Sequence, residues 1–142
     1  MKILLLNGPN LNMLGVREPE KYGNLTLEYI ENSIIELGRK NNVEIECFQS
    51  NHEGEIIDKI QQTTCDGLII NAGGFTHTSV AIRDAISSVG IPTVEVHMTN
   101  IHAREEFRHT SLISGVAIGQ VVGFKEKSYD YALLGLIDYL KK

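Results

Sequence analysis

The side chains able to do chemistry fall at or just past the ends of three short apolar runs: Asn7 and Asn12, Asn71 and His77, and Glu95, His97 and Thr99. Two irregular stretches nearby add Arg17, Tyr22, Arg104 and Arg108. Arginines and backbone amides suit a carboxylate, whereas Asn, His and Thr side chains suit hydroxyls. Together they fit a hydroxylated organic anion. In Glu95-x-His97, alternation along a strand puts both side chains on one face. A carboxylate beside a histidine fixes its tautomer and favours the protonated ring, which makes a proton donor. Tyr22 follows Arg17 in a loop, and a nearby cation favours a phenolate base; the plainer role for Tyr22 is a ring that packs a lid.

These residues need a scaffold that gathers three strand ends. Gly67-Leu68-Ile69-Ile70-Asn71 is a short apolar run rich in β-branched residues, read as a strand covered on both faces. It breaks on Gly73-Gly74 and is followed by Thr76, His77, Thr78 and Ser79. Residues 3–6 form a second such run, and 93–97 and 116–122 are read as the fourth and fifth strands. Residues 43–48 alternate through their first five positions, as a half-exposed edge strand does. Between the strands, four segments carry apolar stripes at helical spacing. The first has Thr26 as cap, with Leu27, Ile30, Ile34 and Leu37. The second opens at Ser50 or Asn51, with Ile56, Ile57 and Ile60. The third carries Val80, Ala81, Ala85, Ile86 and Val89 and stops at Gly90. The last, capped by Ser128, carries Leu133, Leu134, Ile137 and Leu140. Residues 98–114 are irregular and polar, with one short helix expected around 103–107. Residues 8–24 are long for a connection and contain apolar side chains, which predicts a lid.

Strands alternating with helices predict an α/β doubly wound parallel sheet. A buried first strand and an edge-like second strand predict the flavodoxin-like order 2-1-3-4-5. The switch point then lies between strands one and three, whose following loops, 8–24 and 71–79, are the two most unusual in the chain. Ligands bind at such a switch point.

The 142-residue chain is expected to be one domain, 1–142. Its net charge of −5 and lack of any basic run argue against nucleic acid. The apolar run at the start is too short for a membrane span or a signal peptide, so a cytoplasmic location is expected. Cys47 and Cys65 are widely spaced, as reduced thiols are. There is no G-x-x-x-x-G-K-[ST], no G-x-G-x-x-G and no G-x-S-x-G. Flavodoxins hold flavin phosphate with a Thr/Ser-rich first loop that is missing here. A phospho-receiver domain needs acids where Asn7 and Asn71 stand. His97 and His102 lack a second convincing pair of metal ligands. A non-catalytic binding module for a sugar acid or nucleotide is the alternative from another class.

Three ordered motifs resemble type II 3-dehydroquinate dehydratase: Asn7-Gly8-Pro9-Asn10-Leu11-Asn12-x-Leu14-Gly15-x-Arg17-x-Pro19-x-x-Tyr22-Gly23; Asn71-x-Gly73-Gly74-x-Thr76-His77-Thr78-Ser79-Val80-Ala81-x-Arg83-Asp84; and Glu95-Val96-His97-x-x-Asn100-x-x-Ala103-Arg104-Glu105-x-Phe107-Arg108. The resemblance runs from the first strand to the last. It implies a flavodoxin-like enzyme that removes water from 3-dehydroquinate to give 3-dehydroshikimate, with no cofactor, no metal and no Schiff base. It implies Tyr22 as the base at C2, with Arg17 keeping it ionised, and Asn12 holding a water against the enolate oxygen. His97, supported by Glu95, would protonate the leaving C1 hydroxyl. The Met98 and Thr99 amides and the Thr99 hydroxyl would take the carboxylate, and Asn71, His77 and Arg108 the ring hydroxyls. Asp84 would reach a neighbouring subunit's site in a dodecamer built from trimers. The chain departs from the family pattern at Thr99, where serine is expected, at Leu112 for tyrosine, and at Gly115 for proline.

Overall fold

The computed structural model describes residues 1–16 and 25–142. Arg17 and Tyr22, with residues 17–24 of the expected lid, lie outside the described residues. Five parallel strands, β1 (Lys2–Asn7), β2 (Glu44–Gln49), β3 (Gly67–Asn71), β4 (Thr93–His97) and β5 (Gly119–Val122), form one sheet in the order β2-β1-β3-β4-β5. Among the described residues four α-helices connect or follow them: α1 (Leu27–Lys40), α2 (Glu53–Gln62), α3 (Val80–Val89) and α4 (Lys127–Leu140). This is the doubly wound topology expected from the alternation of strands and helices.

β1 and β3 have no polar alternation because both faces are covered, whereas β4 alternates Val94 and Val96 with the buried polar Thr93, Glu95 and His97. Ile3, Leu5, Ile69, Val94 and Val96 pack on one side against Ile30 and Ile34 of α1 and Leu133, Leu136 and Ile137 of α4. Leu4, Leu6, Leu68 and Ile70 pack on the other against Ile56 and Ile60 of α2 and Ile82 and Ile86 of α3. Fully burying one such side chain contributes about 1.5–3 kcal/mol, so these interdigitated layers hold the strand ends in place. Edge strand β2 is only partly buried, as its alternation predicts. Cys47 and Cys65 are free thiols, and burial pushes the Cys47 thiol up to about 12.

Caps set the helix starts. Thr26 accepts the Tyr29 amide at 3.1 Å, and Ser79 accepts the Ile82 amide at 2.9 Å. Gly90 ends α3 in the left-handed region (φ 73°). Four local expectations need correction. The cap of α2 is His52, and Ser50 instead accepts the His52 amide at 2.9 Å. Ser128 is not the cap of α4, which begins one residue earlier; its hydroxyl accepts the Phe124 amide at 2.9 Å and closes the turn into the helix. The segment after β4 holds separate 3-10 turns at Ile101–Ala103, Glu106–Arg108 and Ser114–Val116 rather than a helix around 103–107. Asn100, accepting the His102 amide, is the local competitor that starts the first of these turns. The last of them shortens β5 at its start.

Two glycines allow the loops after β1 and β3 to touch. A Cβ on Gly8 would lie 2.5 Å from the Ala72 carbonyl oxygen, and one on Gly73 would lie 2.9 Å from the Pro9 oxygen. Gly73 also has φ 59°, a conformation glycine adopts at little cost.

Candidate active site

Parallel register brings Asn7 and Asn71 side by side at the carboxyl edge of the sheet. β4 runs on to His97, paired with Val122 of β5. A crevice of about 150 Å³ opens above these ends. Its wall includes Pro9 and Leu11 from the first loop, Asn71, Gly74 and His77 from the third, and His97, Met98, Thr99, Arg104 and Arg108 from the fourth. The crevice therefore lies at the switch point between β1 and β3, where the topology leads one to expect a ligand site.

Glu95 and His97 share one face of β4. Glu95 is fully buried and His97 is 6% exposed. Their Oε2 and Nε2 atoms are 2.5 Å apart. The same Oε2 accepts the Ser111 hydroxyl at 2.8 Å. Ser111 in turn accepts the amides of Ile113 and Ser114, each at 3.1 Å. Both lone pairs of that hydroxyl are thereby used, so its single proton must point at Glu95. Oε2 is an acceptor on all sides, and His97 carries its proton on Nε2. In the neutral ring Nδ1 is then the atom that gains and yields a proton. This proton placement follows from the hydrogen-bond network.

Burial pushes the Glu95 carboxyl upward, but the His97 hydrogen bond and charge, helped by Ser111 and Gln120, outweigh it and hold the carboxyl below its ordinary 4.5. A depressed carboxylate stabilises the fold fully above the ordinary value, and that stabilisation is lost as pH falls through the depressed one. Glu95→Gln keeps the shape and removes the charge. Its unfolding free energy at neutral pH is expected to fall by roughly 1.5–3 kcal/mol, the size of a hydrogen bond to a charged group. The gap from the parent should close on acidification below the ordinary carboxylate range. Urea unfolding of both proteins across that range checks it, and a gap that stays constant into acid would rule out an ionised Glu95 as its source.

His77 faces His97 across the crevice, with ring centroids 6.5 Å apart. Its Nδ1 donates to the Thr110 carbonyl at 2.8 Å, which leaves Nε2 as an acceptor in the neutral ring. Asn71 is pinned at both ends of its amide. Oδ1 accepts the Gly73 amide at 3.1 Å, and Nδ2 donates to the Tyr129 hydroxyl at 2.9 Å. Arg108 Nε is held by Glu105 at 3.1 Å. Arg104 Nη1 donates to the Thr99 hydroxyl at 3.4 Å. A donor amide, an acceptor imidazole and two guanidiniums thus surround one cavity. Such walls fit a small, hydroxyl-bearing anion.

Not every expected residue lines this crevice. Asn12 is exposed in the 3-10 turn Leu11–Met13, with its Oδ1 3.5 Å from Gln49 Nε2, while its neighbours Leu11 and Met13 line the wall. Asp84 is exposed on α3 and lies outside the crevice wall of its own chain. Thr99 keeps a hydroxyl in the wall, so its departure from serine preserves the polar group. Leu112 meets β3's loop through its backbone, its amide reaching the Thr76 carbonyl at 2.8 Å and its carbonyl accepting Arg83 at 3.0 Å. A Cβ on Gly115 would sit 2.9 Å from Arg83 Nη1. Ser111 and Tyr129 were not read as site residues from the sequence. Ser111 had a faint signal in its place within the polar stretch after β4; Tyr129 had none, being a tyrosine in a helical stripe. Among the described residues there is no cluster of His, Cys, Asp and Glu that could hold a metal ion, and no helix is long and apolar enough to cross a membrane.

The class II dehydroquinase family model matches residues 1–137. The chain belongs to that family. It is 54% identical over 142 residues to the 3-dehydroquinate dehydratase of Prochlorococcus marinus (strain MIT 9301), covering 99% of this chain and 97% of the relative. It is 55% identical over 141 residues to that of Endomicrobium trichonymphae, covering 98% and 99%. Among solved structures, the type II dehydroquinase of Butyrivibrio crossotus superposes with a TM-score of 0.92 at 52% identity, over 100% of this chain and 98% of the other. Family membership extends the three motif matches to the whole chain, and the order of the sheet agrees with that of a type II dehydroquinase.

Proposed function

We propose that this enzyme dehydrates 3-dehydroquinate to 3-dehydroshikimate by an anti elimination through an enolate. The observation that carries the reading is the match of the family model to residues 1–137, and the buried Ser111–Glu95–His97 line opening on the crevice supports it. A base removes the C2 proton, and the electron pair passes to the ketone oxygen as an enolate. The enolate then re-forms the ketone by expelling the C1 hydroxyl, which leaves as water once protonated. A tertiary hydroxyl leaves poorly without that proton, and an enolate needs an oxyanion partner.

Tyr22 is the proposed base and Arg17 its supporting cation. Asn12 orders the water at the enolate oxygen. His97 is the acid and works through Nδ1, while Glu95 holds Nε2. The Met98 and Thr99 amides and the Thr99 hydroxyl hold the carboxylate, beside Arg104. Asn71 and His77 offer a donor and an acceptor, the pair a hydroxyl needs, and Arg108 adds a second donor. The chain acts as a single catalytic domain in the cytoplasm, as trimers grouped into a dodecamer in which Asp84 completes a neighbouring site.

Incubation with 3-dehydroquinate should produce the conjugated enone absorbance of the product. Borohydride added with substrate should trap no adduct, since the proposed route has no imine. Tight binding of substrate with no enone would sink the lyase reading and leave a binding module.

A further inference from the structure

On the opposite face of the sheet from Glu95 and His97, α4 sends one fully buried hydroxyl to the strand ends: Tyr129 is 0% exposed. It accepts Asn71 Nδ2 at 2.9 Å and donates to Asn7 Oδ1 at 2.6 Å. Asn7 and Asn71 are register partners on β1 and β3, so the hydroxyl bridges the two strands that define the switch point. One backbone group dictates every proton in this relay. The Gly73 amide must meet an oxygen, so Asn71 Oδ1 faces Gly73. Asn71 Nδ2 then faces Tyr129, whose oxygen accepts, and whose only proton must go to Asn7 Oδ1. Asn7 Nδ2 is left buried without a hydrogen-bond partner among the described residues. A buried orphan donor is costly, and Asn7 keeps it while its oxygen serves the tyrosine.

We infer that Tyr129 is a positioning residue that acts through Asn71. The relay locks the Asn71 amide so that its remaining N–H is the group presented to the crevice Asn71 lines. Asn71 therefore presents a donor N–H to the crevice, and the ligand atom opposite it must carry a lone pair. Without the tyrosine oxygen, Asn71 Nδ2 loses its anchor and the amide swings on a single bond to Gly73. This inference rests on the crevice being the substrate site of the proposed reaction.

Asn71 is expected to hold the substrate equally before and during reaction, so losing its alignment raises KM rather than lowering kcat. Tyr129→Phe removes one oxygen and keeps the ring. It should raise KM for 3-dehydroquinate by ~10-fold, with kcat within ~3-fold of the parent. In an Asn71→Ala background the same change should move KM by less than ~2-fold, because there is no amide left to align. A purely structural tyrosine would instead lower the active fraction, leave KM unchanged, and add fully to Asn71→Ala. If Tyr129→Phe does not fold, Asn7→Leu serves, since it removes the relay's acceptor together with the orphaned amide. KM should then rise by ~3-fold, again only when Asn71 is present. An active parent with unaltered KM in the folded variant overturns the relay alone. A parent that does not turn over 3-dehydroquinate overturns the proposed function, and the substrate-aligning relay falls with it.

Discussion

His97→Gln should lower kcat by ~10²–10⁴-fold, the usual cost of removing a general acid. The glutamine amide keeps an N–H for Glu95 Oε2, so the buried carboxylate is not orphaned and the fold should persist. What is lost is the second nitrogen. With Nε2 tied to Glu95 at 2.5 Å, Nδ1 is the only ring atom free to deliver a proton, and glutamine has no titrating group to replace it. The leaving hydroxyl must then take its proton from water. The alkaline limb of the kcat profile, which reports loss of the acid's proton, should vanish from the residual rate. Steady-state kinetics across pH on a variant with parent-like circular dichroism provide the check. A kcat within a few-fold of the parent, with the alkaline limb intact, would pass the acid role to another group.

Tyr22→Phe should be comparably severe, again ~10²–10⁴-fold in kcat. Phenylalanine keeps the ring, so any role in packing the lid survives the change, and only the ionisable oxygen goes. The effect separates the two roles left open by the sequence. A ring that merely packs would leave the rate within a few-fold; a base would not. The acid limb of the pH profile, which reports ionisation of the base, should be lost as well. Single-turnover measurement of C2 proton loss, followed by exchange of a deuterated substrate, places the defect at the first step rather than at water release. Unchanged exchange in a folded Tyr22→Phe protein would move the base elsewhere. The two variants also make opposite demands on pH, one limb each, so a single pair of profiles tests both assignments.

Patterns that depend on neighbours along the chain were readable in advance. Continuous apolar runs at 3–6 and from Gly67 specify buried strands because no face is left for water. The stripes of α1 to α4 specify most of their core faces through helical period, although Val80, Val89 and Leu134 stay exposed. Alternation between the two kinds of segment then dictates a parallel sheet, because parallel strands need crossovers. The spacing Glu95-x-His97 placed the pair on one face, and Gly8 and Gly73-Gly74 marked the loops that crowd together. The caps at His52 and Glu126 differ from the serines the sequence suggests because serines bind whichever amide the local turn offers. Nothing in the spacing distinguishes a serine that caps a helix from one that closes the turn before it.

By itself, then, the sequence determined the order of elements, the two-sided burial of the sheet and the strand ends where chemistry gathers, since each depends on local pattern. Tertiary structure alone decided which atoms hold those chemical groups. Ser111 reaches Glu95 across 16 residues, and Tyr129 reaches Asn71 and Asn7 across 58 and 122. Contacts over such separations leave no period in the chain. They exist because β-sheet register and the packing of α4 bring distant positions within hydrogen-bond distance, and a proton's place is set only when every donor around it has been brought there.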